Sequence, residues 1–231
     1  MWIINYPCFA KIFSNLVEQF AKLIKPFAME PVNFHMPGYR INEYLLVLSP
    51  PEDLWHKIIK IKSDFADKYK NEIARFTKPH IALINWVSLE LMEERTIQRI
   101  QTISMGITPF KVELKDYGSF PSHTIFINVV SKVPIQSLVR EMKQAQKLMT
   151  LNKENKPHFI ETPHIGICRK LKPWQYEEGW LEFSNRQFTG RFIADSMLLL
   201  KRRVGEKAYQ IAKRFEFQNL PVTTRQGNLF M

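Results

Sequence analysis

Lys78-Pro79-His80-Ile81-Ala82-Leu83 is answered further along the chain by Thr162-Pro163-His164-Ile165-Gly166-Ile167. Each segment reads Pro-His-Ile-small-aliphatic. In an extended strand, alternate side chains share a face. His80 therefore points with Ala82, while Ile81 and Leu83 point the other way, into a core. Likewise His164 points with Gly166, while Ile165 and Ile167 take the core side. Each strand thus offers one histidine and one small residue to an open face. If two lobes built on these strands pack across a pseudo-twofold axis, the histidines confront each other across a cleft.

Working outward, Tyr44 to Leu48 reads as a buried strand that Pro50 and Pro51 break. A helix follows over 52–70, with apolar positions at Leu54, Ile58, Ile61 and Phe65. The strand over 80–87 leads to a helix over 89–104, and two strands come next, over 110–114 and 123–130. The theme then resumes with a helix over 135–149, a strand over 164–169 and a helical stretch over 174–183. Segments 191–203 and 209–217 read as strands of a hairpin around Gly205. Strands mixed with helices, with hairpin-like neighbours, predict an α+β fold with largely antiparallel sheets. The strand–helix–strand theme occurs twice, which suggests two related lobes.

Residues 1–37 stand apart. Apolar residues from Phe9 to Ile24 follow helical spacing with one apolar stripe, and Pro26 should end that helix. The functional reading is an interfacial helix touching a membrane through residues 8–25. The plainer reading, a helix packed on the domain or an extension with no role, is favoured because the polar face is only weakly basic. The expected organisation is 1–37 as helix and linker, 38–217 as a two-lobed domain and 218–231 as a tail. The chain carries 33 basic and 22 acidic residues, a net charge of +11. That excess favours a polyanionic partner without choosing among RNA, DNA, nucleotide and anionic membrane. Two cysteines, Cys8 and Cys168, fit no zinc or redox motif and point to a reducing, cytoplasmic setting. No apolar run is long enough for a membrane span, and a monomer is expected.

Two histidines in one cleft suit phosphodiester chemistry. One imidazole takes a proton from the attacking hydroxyl or water, and the other gives one to the leaving oxygen. Histidine titrates near neutral pH, so a neutral and a protonated ring can coexist. That chemistry requires no metal and no cofactor.

The paired segments resemble the two signature motifs of the two-histidine phosphoesterase superfamily, of the 2′-5′ RNA ligase and cyclic phosphodiesterase kind. The family pattern is His, a hydrophobic residue, Thr or Ser, then another hydrophobic residue, occurring twice. The resemblance covers roughly residues 40–217, and Phe120-Pro121-Ser122-His123-Thr124-Ile125 also looks like what bacterial relatives carry between the motifs. It implies a bilobal, pseudo-twofold α+β fold with helices outside and a central cleft. It also implies activity on 2′,3′-cyclic phosphates or 2′-5′ linkages in RNA or nucleotides, with His80 and His164 as the catalytic pair. The family's hydroxyl positions map onto Ala82 and Gly166, and neither has a hydroxyl. Those hydroxyls help hold the phosphate, and losing one preorganised donor costs about 10²–10³ in rate. Lys78, Arg169 or backbone N–H groups are the candidates to replace them, and Gly166 lets a phosphate approach the backbone.

The remaining candidates carry bland alternatives. Tyr117 and Phe120 are placed to stack a base or, more simply, to pack in the core. His158 begins like the motif but lacks the small residue, since Ile160 stands there. His123 is an accessory group of the cleft or a surface residue. His35 and His56 are given no role, and Cys168 is not read as a nucleophile. The basic run Lys201-Arg202-Arg203, with Lys207, Lys213 and Arg214, is an RNA-backbone patch or a solvated hairpin tip. Three functions follow: a phosphoesterase, a binder of RNA or nucleotide that kept the cleft without the hydroxyls, and a membrane-associated protein.

Overall fold

The structure is a computed structural model and describes residues 38–220. The helix expected over 9–24, its membrane contact through 8–25, the linker, Cys8 and His35 lie outside the described residues. So does the chain beyond 220.

Among the described residues fifteen strands and α-helices follow in order: β1 (Ile41–Leu48), α1 (Glu52–Tyr69), α2 (Glu72–Phe76), β2 (Ile81–Leu89), α3 (Glu93–Met105), β3 (Phe110–Phe120), β4 (Thr124–Val129), α4 (Lys132–Met142), α5 (Gln146–Met149), β5 (His158–Phe159), β6 (His164–Arg169), α6 (Pro173–Phe183), β7 (Thr189–Ala194), β8 (Ser196–Arg203) and β9 (Gln210–Glu216). The strands form one open sheet in the order β7-β3-β4-β6-β2-β1-β8-β9, with β5 added beside β2. Every pairing is antiparallel. The fold is therefore mixed helix and antiparallel sheet, and the two motif strands β2 and β6 are neighbours at its centre.

The core explains the order. β2 is buried at nearly every position, as a central strand covered on both faces must be. Helix α1 lays Ile58, Phe65, Ala66 and Tyr69 into that core at helical spacing. It starts directly after Pro50-Pro51, with Glu52 and Asp53 in the first turn, where the helix dipole favours them. It ends on Lys70, which adopts φ 52°. One member of the buried stripe is Lys62, 1% exposed.

The stretch read as a single strand over 191–203 is two strands. β7 pairs with β3 at one end of the sheet, whereas β8 pairs with β1 and β9 near the other. Asp195 alone separates them, so the chain passes from the edge strand β7 to β8, the neighbour of the opposite edge strand β9, through that one residue. The Asp195 carbonyl also accepts from the Phe217 N–H at 2.8 Å, and the Phe217 ring stacks on Phe110. Phe192 and Ala194 are buried in one phase and Met197 and Leu199 in the other, so the period slips by one residue at Asp195–Ser196; that slip marks a break but does not reveal the change of hydrogen-bonding partner.

β3 is also longer than the expected 110–114. It passes through a bulge between Leu114 and Tyr117, where Asp116 adopts φ 55°. Asp116 is tied by its N–H to the Phe188 carbonyl and by its carboxylate to the Phe188 N–H. The helix expected over 135–149 is broken by a 3-10 turn at Lys143–Ala145. Leu138, Met142, Ala145 and Met149 are all buried at unbroken spacing, which hides that turn from a sequence reading. Residues 218–220, expected to open the tail, are still attached to the domain: the Asn219 and Leu220 N–H groups donate to the carbonyls of Ile107 and Met105.

Candidate active site

β2 and β6 meet through one register pair, Ile81 opposite Ile165. Carried one residue to either side, that register sets His80 across from Gly166 and Ala82 across from His164. The two histidines are thus diagonal neighbours on one face, with Cα atoms roughly 7–8 Å apart. Burial follows the same alternation: Ile81, Leu83, Ile165 and Ile167 are fully buried, while His80, Ala82, His164 and Gly166 remain partly open.

Both motif strands also share an irregularity. Val47 pairs with Ala82 and Leu46 with Ile84, so Leu83 is an extra residue in β2. Phe126 pairs with Gly166 and Ile125 with Cys168, so Ile167 is an extra residue in β6. Each bulge falls three residues after the motif histidine. A bulge bends the strand and re-aims the side chains beside it.

The imidazoles are anchored alike. Nδ1 of His80 lies 2.8 Å from the Lys78 carbonyl, and Nδ1 of His164 lies 2.8 Å from the Thr162 carbonyl. A carbonyl only accepts, so each Nδ1 carries a proton and donates it. That leaves Nε2 of each ring for the ligand. The prolines between, Pro79 and Pro163, hold the preceding residue extended, which aims its carbonyl back at the ring two positions on. His123 makes the same kind of bond without the intervening proline, its Nδ1 lying 2.9 Å from the Pro121 carbonyl across Ser122, which adopts φ 70°.

Burial pushes the His80 pKa down to about 4; the Lys78 carbonyl opposes the shift, and the positive charges of Lys62 and Arg169 and the nearby His164 add to it. His164 is lowered too, by burial first, against the opposing bond to Thr162. Both shifts favour the neutral ring when no anion is bound. An anion entering between them favours the imidazolium form, so the bound state holds more protons than the free one. Sulfate, which does not titrate near neutrality, is expected to bind with net proton uptake and more tightly as pH falls. Calorimetry in buffers of unlike ionisation enthalpy checks this, and uptake of no proton would contradict the electrostatics described.

Around His164 stands an aromatic wall. Phe126 lies 4.8 Å and Phe120 5.2 Å from its ring, and the two phenylalanines touch at 4.6 Å. His123 stacks on Phe120 at 6.4 Å. Phe126 and Asn128, cross-strand neighbours of Gly166 and His164, were not singled out from sequence, although they continue the alternation of β4. Gly118, opposite Phe126, leaves room for that wall. A Cβ there would stand 2.5 Å from Asn128 Oδ1 and 2.7 Å from Phe126 Cε2. Gly118→Ala is accordingly expected to cost about 1–3 kcal/mol through overpacking, read as a lowered denaturant midpoint. An unchanged midpoint would mean the wall yields freely.

The other sequence candidates separate by position. Tyr117 is not brought to the histidines. It pairs with the fully buried Ile127, on the opposite face from Phe126, and packs its ring against Phe183 at 4.9 Å. Its one-residue offset from Gly118 decides that face. Lys78 and Arg169 are exposed, and Arg169 acts on His80 through its charge. His158 lies on β5, opposite Asn85 and farther along β2. Cys168 is buried, and burial raises its thiol to about 11. The basic hairpin is partly committed: Lys201 pairs with Glu93 at 2.8 Å, Arg202 with Glu43, and Arg214 with Asp195 at 3.5 Å. Among the described residues, no helix is long and apolar enough to cross a membrane.

A family model described as the 2′-5′ RNA ligase superfamily matches residues 50–206. The chain belongs to the 2′-5′ RNA ligase superfamily. Solved structures similar to this superfamily member include E. coli LigT complexed with 3′-AMP, at 14% identity over 78% of this chain and 98% of that one, with a TM-score of 0.54. TT0787 of Thermus thermophilus matches at 13% identity over 76% and 98%, with a TM-score of 0.53. LigT complexed with NADP+ matches at 16% identity over 78% and 99%, with a TM-score of 0.51. At such identities the likeness is one of fold. No curated protein matches the chain.

Proposed function

We propose that this protein is a metal-independent phosphoesterase acting on 2′,3′-cyclic phosphates or 2′-5′ linkages of RNA or nucleotides, with His80 and His164 sharing the acid and base roles. The observation that carries the reading is the pair of Nδ1-anchored imidazoles set diagonally on one sheet face. Family membership agrees with it. The matched LigT structures hold 3′-AMP and NADP+, which supports a nucleotide as the ligand here. The excess of basic residues suits the same ligand class. Phe120, against His164, is the candidate to stack a base. Hydrolysis and ligation are one chemistry run in two directions: a cyclic phosphate is opened by water or by a 5′-hydroxyl, and the proton each nucleophile loses passes to one imidazole while the other protonates the departing oxygen.

A second reading is favoured by Ala82 and Gly166, which stand where the family carries hydroxyls: an RNA- or nucleotide-binding protein that no longer turns over. Hydrolysis of a 2′,3′-cyclic nucleotide in the presence of a chelator decides between them. Chelator-resistant turnover supports the enzyme. Binding of the nucleotide without turnover supports the binder.

A further inference from the structure

Lys62 is the buried charge that the two-histidine chemistry leaves unused. Its ammonium donates to Thr77 Oγ1 at 2.9 Å, to the Gly166 carbonyl at 2.9 Å and to the Ile167 carbonyl at 2.8 Å. Thr77 lies three residues before His80. Gly166 and Ile167 are the bulged pair that follows His164. One nitrogen on α1 therefore bridges the approach to the first motif and the distorted strand of the second. In a regular strand, successive carbonyls point to opposite sides. Here two successive ones converge on Lys62, so the ammonium is the clamp of the β6 bulge.

All three partners are neutral oxygens, and a buried cation that meets no opposite charge is costly to hold. Burial pulls its pKa down to about 8. The missing counter-charge has an obvious source at β6 itself, where Gly166 leaves open space on the histidine face: a Cβ built there meets nothing within 4 Å.

We propose that Lys62 is a positioning residue of the phosphate site: from behind β6 it holds the Gly166–Ile167 bulge in place and supplies fixed positive charge for the phosphate that binds between His80 and His164. This rests on the phosphoesterase reading for the identity of the anion, but not for its test. Coupling between two sites is reciprocal. If the Lys62 charge strengthens anion binding by some factor, the bound anion raises the Lys62 pKa by the logarithm of that factor. The charged and titratable groups facing Lys62 are Cys168 and Arg169, and those facing His80 are Lys62, Arg169 and His164, so neutralising Lys62 also lets the His80 pKa rise.

Side-chain NMR of the full-length protein labelled at lysine and histidine, titrated with and without saturating sulfate, tests both consequences. The expected result is a Lys62 ammonium whose pKa rises with sulfate. In Lys62→Met, sulfate should bind roughly 5–150-fold more weakly and the His80 ring should titrate at higher pH. A purely structural lysine moves neither pKa. A Lys62 pKa that sulfate leaves unchanged in the wild type overturns the proposal, and needs no variant to fold. Turnover of a cyclic nucleotide is measured separately: its absence sinks the enzymatic reading while the sulfate result still stands for or against Lys62.

Discussion

His80→Ala and His164→Ala should each lower 2′,3′-cyclic nucleotide hydrolysis by about 10²–10⁴-fold, the usual contribution of a positioned acid or base. Each ring is partly open and donates from Nδ1 to a carbonyl two residues earlier. Truncating it opens no large core cavity, so the unfolding midpoint should move little. The double variant should be scarcely slower than either single one, because acid and base act in one transition state and their losses do not add. His158→Ala, exposed on β5 opposite Asn85, is the control and should leave turnover intact. The pH profile carries an independent signature. Because both rings titrate below their ordinary value in the free protein, kcat/KM should peak on the acid side of neutrality. On the acid limb it falls as the base becomes protonated, and on the alkaline limb as the acid loses its proton. Turnover that survives both substitutions would remove the histidines from the mechanism, whatever the family.

What the sequence made legible was local. The proline before each histidine, the small residue after the next aliphatic one and the strict inside–outside alternation all lie within six residues, and the structure keeps each of them at the start of β2 and β6. What stayed hidden depends on partners distant in the chain. The buried set slips from Phe192 and Ala194 to Met197 and Leu199, which marks a break at Asp195, but nothing in that slip says that the chain leaves β3 for β1 there. Tyr117 and Phe120 look equivalent as aromatics between the two motifs, but the bulge at Asp116 and the register with β4 turn Tyr117 against the core and leave Phe120 against His164. Lys62 was legible in principle: the spacing 58, 62, 65, 69 places it on the buried stripe of α1. A charged residue there invites the assumption that the stripe bends around it, whereas the helix buries it and three oxygens receive it.

The same geometry sets up the strongest test of the missing hydroxyls. Gly166→Thr and Ala82→Thr restore the family's residue type at both positions. The fold should accept them. The space beyond Gly166 is empty, its backbone lies outside the left-handed region, and a β-branched side chain suits a strand. If the lost hydroxyls limit the rate, each substitution should raise kcat by about 10²–10³, the worth of one preorganised donor to the phosphate. KM should change less, because a donor that tightens on the transition state spends little of its effect on the ground state. The magnitude also separates two routes by which this chain copes without them. If Lys62 and the bulged backbone have taken over the phosphate, a threonine at 166 competes with that arrangement, and Gly166→Thr should gain less than Ala82→Thr. Equal, additive gains at the two positions would mean that the clamp on β6 contributes nothing the hydroxyls do not. A fall in activity at both, with the fold intact, would mean that the open floor is itself the binding surface and that the substrate fills it.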